Sequence, residues 1–194
     1  MAIFDIFKKK GSSMSHTSDL NERLRHIEVE PAPSPWRRAP IHAVGGLTEV
    51  GYVPESDLLL VVSSAGRGLF DCTSGERVAR DRTPPEEGGW YDDTGLLALG
   101  IGPAEDQFIR LAGLHGGGLR RVASDGWSLA MVAPDWPRQS IIIQPPGRSV
   151  LIERFADGCA KIEDDYELRA FGFSDTGRSF VIALSHSLMI YSRP

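Results

Sequence analysis

The stretch FGFSDTGRSFVIALS, Phe171 to Ser185, decides how the rest of the chain is read. Two aromatic residues, Phe171 and Phe173, lead into Ser174-Asp175-Thr176-Gly177, and an apolar run from Phe180 to Leu184 follows. Asp, Ser and Thr side chains bond their own backbone in tight turns, and Gly accepts the positive φ that such turns often need. The stretch therefore reads as strand, turn, strand. Three others can be laid over it: YVPESDLLLVVSS (Tyr52 to Ser64), WYDDTGLLALGIG (Trp90 to Gly102) and IIQPPGRSVLIER (Ile142 to Arg154). Asp57, Gly95, Gly147 and Gly177 hold the matching position, unevenly spaced. The runs LLLVV, LLALGI, SVLI and SFVIAL are apolar at successive positions, as expected of strands covered on both faces.

A further strand can be read after each of these units. In GRGLFDCTSGERVARD (Gly66 to Asp81), GLFDC alternates, TSG turns, and ERVAR returns as a polar outer strand. DQFIRLAGLHGGGLRRVA and FADGCAKIEDDYELRA read in the same way, the first with a Gly-rich turn. Recurring strand–turn–strand units of this size are the mark of propeller blades. On FSDTGRSFVIAL and FDCTSGERV the chain resembles the WD40-like β-propeller repeat superfamily, over roughly Gly46 to Tyr191. The Gly-His and Trp-Asp signature of that superfamily is absent, and IIQPPGRSV is a degenerate copy. The resemblance implies an all-β fold: a small β-propeller-like repeat domain of about four blades, closed, open as an arc, or completed by oligomerisation. A β-sandwich of similar strands is the alternative.

The expected organisation is a flexible leader or tag-like segment over 1–17, a short helix and Pro-rich strap over 18–40, and the β domain over 41–194. MAIFDIFKKK places its charge after its apolar part, unlike a signal peptide. Leu20, Leu24 and Ile27 make a helical stripe, and Pro31, Pro33, Pro35 and Pro40 forbid regular structure after it. No apolar stretch approaches the ~20 residues that cross a bilayer. A net charge of −5 disfavours phosphate backbones and attracts basic partners.

Signs of catalysis are sparse. His115-Gly116-Gly117-Gly118 and GWSLA (Gly126 to Ala130) echo esterase strings, but they stand too close together for that fold. Asp92-Asp93 and Asp164-Asp165 are adjacent acids, which on a strand point to opposite faces and in a turn cap local amides. Cys72 and Cys159 form no metal-binding spacing or disulfide framework. No cofactor is expected.

What remains is a set of aromatic and charged residues in stiff loops. Trp36, Arg37 and Arg38 stand in the strap, Asp135, Trp136 and Arg138 stand between prolines, and Asp164 and Asp165 add acidic charge. Trp and Arg dominate binding hot spots, and prolines lower the cost of ordering a loop. Trp90 and Trp127, beside strands, read as core plugs instead. These features lead to the expectation of a non-enzymatic, cytoplasmic protein-binding module. A bacterial immunity protein that blocks a basic toxin domain fits them. An adaptor or assembly subunit, or a hydrolase or lyase with a loop-built site, are the alternatives.

Overall fold

The computed structural model describes residues 19–94 and 96–194, so the expected leader and the turn glycine Gly95 lie outside the described residues. Residues 19–25 are helical (α1). The strap carries β1 (Arg37–Arg38), and β2 (His42–Ala43) follows it. Sheet I is a meander of β3 (Leu47–Tyr52), β4 (Leu58–Ser63), β5 (Gly66–Asp71) and β6 (Glu76–Asp81). Sheet II contains β7 (Tyr91–Asp92), β8 (Leu97–Leu99) and β9 (Phe108–Arg110). The short β10 (Ala112–Gly113) then leaves sheet II and pairs with β3. Sheet III contains β11 (Ser128–Val132), β12 (Gln139–Gln144) and β13 (Ala160–Asp165). Sheet IV contains β14 (Leu168–Phe173), β15 (Ser179–Leu184) and β16 (Ser187–Ser192), with β1 and β2 both on the outer edge of β16. The strand pairs are antiparallel. Among the described residues the fold is mostly β, in four sheets rather than the two of a sandwich, and none closes into a barrel.

The doubly apolar strands have the expected cause. In β15, Phe180, Ile182 and Leu184 pack toward sheet III, and Val181 and Ala183 toward sheet I. In β4, Leu59 and Val61 face sheet IV, and Leu60 and Val62 face sheet II. In β12, Ile141 and Ile143 face sheet IV, and Ile142 meets Leu20, Leu24 and Ile27 of the N-terminal helical stripe. These clusters put the sheets in the order II, I, IV, III, with α1 on the outer face of sheet III. No buried cluster of the described residues joins sheet II to sheet III.

Sheets II and III are consecutive in the chain, so residues 111–127 must cross back. They do so along inner strands: Ala112 pairs with Val50 of β3, and Arg120 bridges Phe173 of β14. Gly172 makes room, since a Cβ there would lie 2.7 Å from the Arg120 carbonyl oxygen.

The opening stretch is the β14–β15 hairpin, with Phe173 opposite Phe180 and Gly177 at φ +69 in its turn. The stretches aligned with it in sheets I and II form the β3–β4 and β7–β8 hairpins. The turns of sheets I and IV are stitched together. Asp57 accepts from Thr176 Oγ1 at 2.9 Å and Ser179 Oγ at 2.6 Å, and Asp175 accepts from the Glu55 amide at 3.2 Å.

Three expectations need correction. SVLI is not a strand: it lies in the loop between β12 and β13, with Leu151 and Ile152 exposed. The true hairpin of sheet III is β11–β12, turning at residues 133–138. The strand after the Gly-rich segment does not return onto sheet II, because the chain is crossing toward sheet III there. The two strands of FADGCAKIEDDYELRA, β13 and β14, belong to different sheets.

Candidate partner-binding surface

Sheet III turns from β11 to β12 through Ala133-Pro134-Asp135-Trp136-Pro137-Arg138. The turn is closed by the Arg138 amide donating to the Asp135 carbonyl at 3.1 Å. Trp136 projects from it at 73% exposure, the most exposed large hydrophobic side chain of the described residues. Its neighbours are held on both sides. Arg25, at the end of α1, donates through Nε to Asp135 Oδ1 at 2.6 Å and through a terminal nitrogen to the Pro134 carbonyl at 2.9 Å. Arg138 pairs with Asp164 Oδ1 at 3.2 Å, and the Ser140 hydroxyl donates to the same oxygen at 3.1 Å. The nearly buried Lys161 ammonium lies 3.9 Å from the other oxygen of Asp164. The Arg138 guanidinium also sits 5.7 Å from the ring centre of the exposed Tyr166. An aromatic surface on a stiff, braced turn loses little freedom when it is covered.

The structure thus gathers Asp135, Trp136, Arg138 and Asp164, and adds Arg25, Lys161 and Tyr166. Asp165 accepts from the Glu167 amide at 2.8 Å, a local turn bond. Arg37 and Arg38 are exposed on the edge strand β1, and Arg38 lines a separate groove of about 440 Å³ beneath the strap. Trp36 is different. It is 3% exposed, with its ring centre 4.8 Å from Phe180, 5.6 Å from Phe173 and 5.9 Å from Trp127. Its surface is spent anchoring the strap on the core between sheets III and IV, so it offers no face to a partner. The sequence held a signal for this: Trp36 is the one large apolar side chain of PAPSPWRRAP. Trp90 and Trp127 are core residues, as expected.

A second constellation escaped the sequence reading. Glu49 lies in β3 with its side chain fully buried, and its Oε1 is 2.5 Å from Nδ1 of the half-exposed His115. The Tyr91 hydroxyl is 3.0 Å from the same nitrogen, while Glu49 Oε2 has no protein partner. Burial, then the Glu49 carboxyl, pushes the Tyr91 hydroxyl well above its ordinary range. A charged residue inside the strand-like run LTEVGY was the available signal. Among the described residues no group of three or more metal-ligating side chains occurs, and both cysteines are free thiols. No helix of the described chain is long and apolar enough to cross a membrane.

No protein-family model matches the chain, and no curated protein matches it.

Proposed function

We propose that this chain is a non-enzymatic protein-binding module of propeller-like form, its four sheets acting as blades in an open row, and that it neutralises a basic toxin in the bacterial cytoplasm by direct binding. The observation that carries the binding reading is Trp136: a large apolar side chain, 73% exposed, on a turn braced by the Arg25–Asp135 and Arg138–Asp164 pairs. A tryptophan held rigidly in water gains most when a partner covers it. The net charge of −5 supports a basic partner, and the meander sheets with β1 and β2 closing onto β16 support the blade reading. Affinity capture from the native cell, with mass spectrometry, tests it. Wild type is expected to recover one basic protein stoichiometrically and Trp136→Ala to lose it. A structural component in place of a toxin would favour the adaptor alternative.

The second reading is an enzyme with a loop-built site. Its specific support is the buried Glu49 held against His115, an arrangement that orients an imidazole as a general base. Recovery of no partner, together with turnover on a substrate panel that His115→Ala abolishes, would replace the binding reading with this one.

A further inference from the structure

The outer strand of sheet I carries cations that the fold leaves without an acid. β6 reads ERVARD, and Arg82 follows it. In a regular strand Arg77 and Arg80 would point to opposite faces. A register shift opposite Leu69/Phe70 inserts an extra residue in β6, and it returns both arginines to one face. The pairing then builds two rows across the sheet, Leu59–Phe70–Arg77 and Val61–Gly68–Arg80.

Gly68 brings no side chain to its row. A cavity of about 150 Å³ opens there, lined by Val44, Val61, Gly68 and Phe70 together with Arg77 and Arg80. A wider one of about 470 Å³ shares Arg77 and Arg80 and adds Arg82. Asp81, within the same run, is already held by Arg67 at 3.1 Å and by the Thr83 amide at 2.9 Å. Arg80 donates to the Ala65 carbonyl at 2.7 Å, and neither Arg77 nor Arg82 forms an ion pair with a described residue. Burial, followed by the Arg77 and Arg82 guanidinia, holds Arg80 below its ordinary range against the opposing pull of Asp81. Like charges drawn together in this way cost free energy, and an anion between them recovers it.

We propose that this cleft binds a small phosphate monoester, with the phosphoryl oxygens on Arg77, Arg80 and Arg82 and a short apolar group in the space beside Gly68. Several guanidinia suit a dianion with three outer oxygens better than a carboxylate with two. A space of about 150 Å³ has the volume that a benzene-sized group needs. The cleft is built from sheet I and the segment Ala43–Gly45 that leads into it, apart from the Trp136 turn of sheet III.

Calorimetric titration of the full chain with phenyl phosphate at physiological salt tests the proposal. Saturable binding is expected, weakened about 10-fold or more by Arg77→Gln or Arg80→Gln, the loss of a charge-assisted hydrogen bond. Gly68→Ala places its Cβ 3.4 Å from Phe70, an ordinary contact, so the fold is expected to persist. That variant should weaken phenyl phosphate and leave inorganic phosphate unchanged. Trp136→Ala should bind like wild type. Absence of saturable binding, affinities unchanged in the arginine variants, or equal affinity of wild type for phenyl phosphate and inorganic phosphate would overturn the proposal.

Discussion

Asp57 and Asp175 look alike in the sequence, each an acid in a turn between two strands. In the fold their side chains bind across sheets I and IV. Asp57 accepts the hydroxyl of the fully buried Ser179, and Asp175 accepts from the Glu55 amide and Arg120. Asp57→Ala would leave that hydroxyl only the long contact to the Tyr52 hydroxyl at 3.5 Å, and urea unfolding should show a loss of about 1–3 kcal/mol. Other acids set the pH dependence. The Arg193 side chain holds Asp125 below the usual carboxylate range, and the Thr83 amide does the same for Asp81. At Asp71 burial opposes the shift, but the Thr73 hydroxyl and amide outweigh it. Each folded pKa lies below its unfolded value, so the folded state binds fewer protons in acid. This stabilisation is present above about pH 4 and lost as pH falls through the folded values. The urea midpoint is expected to drop between pH 6 and pH 3, and to drop less in Asp125→Asn.

At the scale of elements, the hairpins of sheets I, II and IV were legible because turn residues and the apolar run after them are local signals. The fourth copy failed for a physical reason. Pro145-Pro146-Gly147 has turn chemistry, but Val150 and the exposed Leu151 and Ile152 that follow belong to a loop. The real turn, APDWPR, carries its own apolar run in β12, hidden by the stronger glycine signal nearby. The crossing segment 111–127 was illegible, since its partners β3 and β14 lie far away in sequence. The candidate surface was half legible: Asp135, Trp136, Arg138 and Asp164 stood out in the sequence, while Arg25 joins them only through the packing of α1 on sheet III and Lys161 only through the pairing of β13 with β12. Helix α1 covers the outer face of that sheet, where Leu24 is 4% exposed against Ile142, Val132 and Val150. Leu24→Ala should cost about 2–4 kcal/mol in chemical unfolding, the price of a core cavity. An unchanged midpoint would place the helix off the sheet.

At the scale of the whole molecule, the described residues stand in a row of sheets in the order II, I, IV, III, with sheets II and III at its ends. The end at sheet III carries α1 and the braced Trp136 turn, and the strap ties the described start of the chain to its last strand. Packing and the proposed binding use different tryptophans: Trp36 holds the core, and Trp136 is the proposed contact for the partner. Trp36→Ala should therefore lose about 3–5 kcal/mol of stability, whereas Trp136→Ala should melt with wild type. The most direct test is the dissociation constant of the captured partner, measured for wild type, Trp136→Ala and His115→Ala. Trp136→Ala is expected to weaken binding about 30-fold or more, as a hot-spot tryptophan does, with His115→Ala unchanged. Equal affinity of Trp136→Ala and wild type would contradict it.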